Sequence, residues 1–164
     1  MLTDEELEKY KGPDGTIDWG RYALEQLSAA VEKSNKKEKL EELSVFKMAD
    51  ELSDYIWDIV AKWDFFAKKT MGDQIVRAAD SVGANITEGY GRFFFGEYLL
   101  FLYYARGSVY ETGYWAGKAW KRKLINDAQY KFIKERTDKL PLEINKVVKI
   151  VKTQFRQWKG KSIY

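Results

Sequence analysis

Arg77, Ser81, Asn85 and Glu88 follow one another at three- and four-residue intervals, and Arg92, Glu97, Ser108 and Glu111 extend the polar series. Guanidiniums beside carboxylates and hydroxyls could form a binding or catalytic site, or seat a pair of metal ions. The chain has no histidine and no cysteine. That removes the commonest general base, the commonest transition-metal ligand and any thiolate nucleophile. A di-iron site in a helical bundle normally draws on Glu-x-x-His pairs, which this chain cannot supply. Carboxylate-only Mg²⁺ chemistry is the weak remainder. The simpler reading of these eight residues is structural. Facing each other across a tight helical hairpin, they would fix its register, because a buried partner left unpaired costs about 1–3 kcal/mol. No catalytic residue, metal or cofactor is assigned, and the chain is not expected to be an enzyme.

The elements that carry these residues read as helices. Ile75, Ala78, Ala79, Val82 and Ile86 recur at helical spacing beside the polar line. Gly89 and Gly91 are expected to end that helix, since glycine takes the left-handed conformation cheaply. Gly89-Tyr-Gly91-Arg92 could pass for a phosphate loop, but it lacks the Lys-Ser/Thr of such loops and follows a helix instead of a strand. A preceding helix is expected from about Leu40 to Lys68, with Val45, Ala49, Leu52, Ile56, Ile59, Val60 and Trp63 on one face. Thr70-Met-Gly72 would connect the two. A third helix, about Glu97 to Lys121, follows a link at Gly91–Gly96 that holds Phe93, Phe94 and Phe95. Its first half, Leu99 to Tyr104, is apolar nearly all round, which hints at subunit contacts, and Gly113 and Gly117 permit close helix approach. Asn126 or Asp127 would cap a fourth helix reaching about Trp158, with Ile144, Val147, Val148, Val151 and Phe155 as its apolar stripe. Pro141 predicts a kink or break there, because it lacks a donor and crowds the carbonyl of Thr137. Short connections favour an all-α, antiparallel up-down-up-down four-helix bundle over residues 40–164.

Residues 1–39 read as an N-terminal helical extension. Leu2 to Tyr10 suggests a short helix, Lys11-Gly-Pro-Asp-Gly15 a turn, Asp18 an N-cap for a helix from Trp19 to about Lys33, and Ser34-Asn-Lys-Lys37 a polar break.

With 164 residues, 45% apolar and 16% aromatic, the chain is long enough for a core without covalent staples. The acidic start lacks the apolar run of a signal peptide. Leu99 to Ala105 is far shorter than the roughly 20 residues of a membrane helix. No membrane association is expected, and the absence of cysteine fits the cytoplasm.

Charge is unevenly placed. Residues 1–58 hold 15 Asp/Glu against 8 Lys/Arg, whereas residues 59–164 hold 10 against 20. From Ile144 onward there are six Lys/Arg and no acid. Lys118, Lys121, Arg122 and Lys123 cluster at the end of the third helix, where cations also suit the helix dipole. Lys146, Lys149, Lys152, Arg156 and Lys159 fall on one face of the fourth. That face is either a solvated surface or a stripe that tracks phosphates, with Trp158 and Tyr164 as stacking groups. The acidic N-terminal segment could instead fold against the stripe and mask it. The remaining aromatics, including Tyr103, Tyr104, Tyr110, Tyr114 and Trp115, suit core and subunit contacts.

The segment Gln74-Ile-Val-Arg-Ala-Ala-Asp-Ser-Val-Gly-Ala-Asn-Ile-Thr-Glu-Gly-Tyr-Gly-Arg92, followed by Glu97, Phe101-Leu102, Ala105-Arg-Gly-Ser108 and Glu111, resembles the four-helix-bundle proteins encoded in bacterial 23S ribosomal RNA intervening sequences. The likeness spans about residues 44–157. It departs from the family's usual pattern at Trp63-Asp-Phe-Phe66, which lacks a proline, and at Thr87, where Ala is commoner. The resemblance implies a homopentameric ring. A more distant likeness, to the accessory variability protein of diversity-generating retroelements, implies a basic pentamer that binds nucleic acid. The expected function is therefore a non-enzymatic oligomer binding RNA or DNA through basic helical surfaces. The alternative is a scaffold or adaptor whose partner is another protein.

Overall fold

Helical spacing of apolar residues builds the larger part of this molecule. The computed structural model describes residues 7–13, 15–18, 25, 40–92 and 94–161, with the side chains of Phe155 and residues 157–161 excepted. The chain divides into two compact units, 1–39 and 40–164.

In the second unit a 3₁₀ turn, Leu40–Glu42, leads into helix α1, Ser44–Val60. Val45, Ala49, Leu52, Ile56, Ile59 and Val60 are its buried face. The helix does not run on to Lys68. The chain turns at residues 61–64, and the Asp64 carboxylate accepts a hydrogen bond from the Ala67 amide at 2.9 Å. That cap starts a short helix, α2, Phe65–Ala67. A π-helical turn, Lys68–Gly72, then passes directly into α3, Asp73–Gly91. The expected connection at Thr70-Met-Gly72 is therefore helical, and the break lies earlier, where Asp64 offers its cap. Gly72 permits this path. A Cβ there would lie 2.8 Å from Val60 Cγ1.

Gly89 and Gly91 do not act as left-handed caps. α3 continues through both, and Arg92 leaves it in an extended conformation with φ −75°. Gly89 is needed for space instead. A Cβ on it would meet Phe101 Cβ at 2.8 Å and Tyr98 Cδ2 at 2.9 Å. Helix α4, Phe95–Lys121, buries Leu102, Ala105, Val109, Thr112, Ala116 and Ala119, and the small members of that face let its neighbours approach. Gly113 sits 3.6 Å from Thr137 by its virtual Cβ, whereas Gly117 faces open space.

α4 ends in a Schellman motif. The Leu124 amide donates to the Ala119 carbonyl at 3.0 Å and the Lys123 amide to Trp120 at 2.9 Å. Helix α5, Asp127–Lys161, opens with a capping box in which Asn126 and Gln129 bond each other's amides at 2.9 Å. Pro141 is buried within α5 and does not break it.

α1 packs on α3 and α5, and α4 packs on the same two helices. Leu52, Ile56, Ile75, Ile86, Leu102, Ile133, Leu140 and Ile144 fill the space between them, each contributing about 1.5–3 kcal/mol by burial. The unit is all-α, built from four long helices among the described residues. No helix among those residues is long and apolar enough to cross a membrane.

In the first unit, the turn predicted at Lys11–Gly15 is present. Gly15, at φ 78°, donates to the Gly12 carbonyl at 3.0 Å, and Lys11 bridges Ile17. The helices expected at 2–10 and 19–33 and the break at 34–37 lie largely outside the described residues, as do Phe93 and Tyr164.

Candidate nucleic-acid interface

The polar series that opened the sequence does not converge. Arg77 is exposed and lies 3.6 Å from Asp73 of its own helix. Asn85 Nδ2 donates to the Ser81 carbonyl at 2.7 Å. Glu88 pairs with Arg92 one turn on. Ser108 Oγ donates to the Tyr104 carbonyl at 3.2 Å, and Glu111 accepts from Trp115 Nε1 at 3.4 Å. Glu97 is exposed in the first turn of α4, where its charge suits the helix dipole. Among the described residues of this series Arg92 reaches across, its guanidinium 4.8 Å from the centre of the Phe101 ring. The expected lock across the hairpin is thus replaced by local bonds within each helix. Shape closes the hairpin instead, through Gly89 seated against Tyr98 and Phe101. Burial raises the Tyr98 phenol above its ordinary pKa, and the neighbouring Tyr90 adds to the shift. Among the described residues no three acidic side chains gather closely enough to hold a metal ion.

The cations do form surfaces. On α5, Lys146, Lys149, Lys152 and Arg156 are all exposed. Lys146 pairs with Glu143 at 2.7 Å, one turn earlier. Lys152 lies 5.8 Å from the Tyr103 ring of α4, and Asn145 accepts from Arg106 of α4 at 3.2 Å. The stripe therefore runs along the border of α5 with α4. Lys159 lies in α5, but its side chain and that of Trp158 fall outside the described residues.

Beside this stripe α4 presents an outward aromatic face. Tyr103, Tyr104, Tyr110 and Tyr114 are 41–63% exposed, and Leu100 is 45% exposed. These rings were expected in core or subunit contacts, and within a single chain they are not in the core.

A second basic surface surrounds the α4–α5 turn. Lys121, Arg122 and Lys123 are exposed there, while Lys118 is half-buried with its ammonium 5.4 Å from the Tyr114 ring. Lys123 occupies the left-handed region at φ 59°, where glycine is the usual residue. Arg122 Nη1 lies 3.2 Å from Met71 Sδ. That contact brings the turn against the α2–π segment, with a cleft of about 540 Å³ between them lined by Phe66, Thr70, Met71, Arg122 and Leu124. A larger apolar cleft of about 830 Å³ is lined by Trp57, Phe65, Lys68, Lys69, Asp73 and Val76, on a different face of the α2–π segment. Sequence reasoning assigned Phe65, Phe66, Lys68 and Lys69 no role.

Four long helices packed in this order, one of them joined through a glycine-tight hairpin to the next, define a small helical-bundle class. Within that class the chain belongs to the 23S rRNA-intervening sequence protein family, whose sequence profile matches residues 41–146. Among solved structures it is similar to a protein of unknown function from the S23 ribosomal protein family of Bacteroides thetaiotaomicron VPI-5482. The identity is 23%, the TM-score 0.58, and the match covers 64% of this chain and 98% of that one. No curated protein matches the chain.

Proposed function

We propose that the protein is a non-enzymatic, up-down-up-down four-helix bundle that assembles into a homopentamer in the cytoplasm and binds RNA, or other nucleic acid, through its basic helical surfaces. The observation that carries this reading is the row Lys149, Lys152 and Arg156. It is exposed, runs along one border of α5, and joins no ion pair among the described residues. A purely solubilising surface would mix both signs, and this segment has no acid after Glu143. Family membership supports an RNA-related setting. The exposed tyrosine face of α4 supports self-assembly, because aromatic residues left outward on a single chain are the type that subunit contacts bury. A ring would repeat the stripe and raise avidity.

Filter binding to ribosomal RNA fragments across a salt series tests the reading. Each phosphate contact adds about 0.7 to the slope of log K against log salt on single strands and about 0.9 on duplex DNA. Absence of binding at low salt by the intact oligomer refutes it. The same tyrosine face favours a second reading, a scaffold for another protein. A stoichiometric protein partner retained without nucleic acid would select that one.

A further inference from the structure

The end of the bundle formed by the α2–π segment and the α4–α5 turn has features that a solubilising surface does not need. Several of its cations join no ion pair, while three of its acids have partners. Asp64 caps the Ala67 amide, Asp73 faces Arg77, and Asp127 accepts from Trp120 Nε1 at 2.7 Å. Among the described residues Lys62, Lys68, Lys121, Arg122 and Lys123 join no ion pair, and the Arg122 guanidinium lies against Met71 Sδ. Three large aromatic side chains stand out among these cations. Trp57 is 61% exposed, Phe65 77% and Phe66 76%. Trp57 and Phe65 line the same 830 Å³ cleft with Lys68, Lys69 and Asp73, and the Lys69 ammonium lies 5.7 Å from the centre of the Phe65 ring.

Two backbone features add to the picture. A π turn, a geometry found disproportionately at functional sites, presents Lys68 and Lys69. Lys123 keeps a left-handed conformation that a glycine would hold without strain. A lysine held at that cost, beside unpaired cations and outward aromatics, fits a polyanion better than it fits stability.

We infer that this end of the molecule binds a single-stranded, unstacked stretch of RNA, with bases stacking on Trp57, Phe65 and Phe66 and phosphates followed by Lys68, Lys69, Lys121, Arg122 and Lys123. The inference rests on the nucleic-acid reading above and specifies the ligand class for this end of the bundle, whose two clefts flank the α2–π segment. Duplex RNA keeps its bases stacked inside the helix and offers these rings nothing to stack on. A flexible single strand offers both its base faces and its backbone, and stacking on an aromatic is worth about 1–3 kcal/mol per base. A groove for a protein helix would instead need apolar anchors without a surplus of free cations around them.

The test is fluorescence anisotropy with a labelled twelve-nucleotide oligouridine and a duplex RNA of equal length, on the full chain, with oligomer mass followed by light scattering. The double variant Phe65→Ala, Phe66→Ala is expected to weaken oligouridine binding at least tenfold and to leave duplex binding and mass unchanged. The milder Phe65→Leu, Phe66→Leu keeps apolar area and removes the π faces, so it should show the same selective loss even where the alanine variant folds poorly. Lys68→Gln with Lys69→Gln should lower the salt slope on oligouridine by about 0.7 per contact removed. Wild-type protein that binds duplex but not oligouridine overturns this inference and leaves the nucleic-acid reading standing. Binding to neither refutes both. Equal loss on both ligands, no loss at all, or a drop in oligomer mass in the aromatic variants also overturns it, the last by making the rings a self-contact.

Discussion

Replacing Gly89 and Gly83 by alanine, one at a time, separates conformational propensity from packing within a single helix. Both glycines lie inside α3, so each replacement gains the same helix-propensity term of about 1 kcal/mol. Their surroundings differ. A Cβ at Gly83 meets nothing within 4 Å, whereas one at Gly89 meets Phe101 Cβ at 2.8 Å and Tyr98 Cδ2 at 2.9 Å. The Tyr98 ring can turn. Phe101 Cβ is fixed to its backbone, so α4 itself must give way. Overpacking of this kind costs about 1–3 kcal/mol. Gly83→Ala is expected to stabilise by up to about 1 kcal/mol, and Gly89→Ala to fall below it by about 1–3 kcal/mol. In thermal melts that gap corresponds to roughly 2–12 °C at about 2–4 °C per kcal/mol for a chain of this size. Urea titrations should give the same order with unchanged m-values. Equal stabilisation by both variants would refute the close α3–α4 approach as the reason for glycine at position 89.

Asp64→Ala removes the α2 cap and should cost about 1 kcal/mol by urea denaturation, with a larger effect on amide exchange at Ala67 than at Ile86. Lys123→Gly should act in opposite directions on two readouts, raising stability by about 1 kcal/mol through relief of the left-handed backbone while weakening RNA binding. The Tyr98 phenol holds its proton to higher pH in the fold than in the unfolded chain, because burial disfavours the phenolate. Above its ordinary value of 10.0 the unfolded chain loses that proton first, so stability falls as pH rises. Tyr98→Phe should flatten that decline in melts taken from pH 8 to 11, and an unchanged slope would count against a buried phenol.

Much of this architecture could be read from periodicity, because one face of a helix repeats every three to four residues. The buried faces of α1 and α3 contain the residues that spacing selects, Val45 to Val60 and Ile75 to Ile86. Boundaries were less legible. Asp64 is an ordinary N-cap signal, yet an apolar pattern running from Leu52 past Trp63 hides it. The glycine-rich end of α3 read as a stop, because spacing alone cannot tell a left-handed cap from a glycine held by a neighbour's bulk. The polar series from Arg77 to Glu111 was misplaced for a similar reason. Intervals of three and four also serve bonds within one helix, such as Asn85 to Ser81 and Glu88 to Arg92. The basic stripe of α5 was legible, since charge on a long helix needs no partner to be exposed. The cations and rings at the α2–π end were not, because they meet through tertiary contacts such as that between Arg122 and Met71.

The proposed binding of nucleic acid by the α5 border is probed by the salt dependence of RNA binding in the wild type and in Lys149→Gln, Lys152→Gln, Arg156→Gln. A weaker complex is expected, its slope of log K against log salt lower by about 0.7 for each lost phosphate contact, with oligomer mass unchanged. An affinity and slope equal to those of the wild type would contradict it.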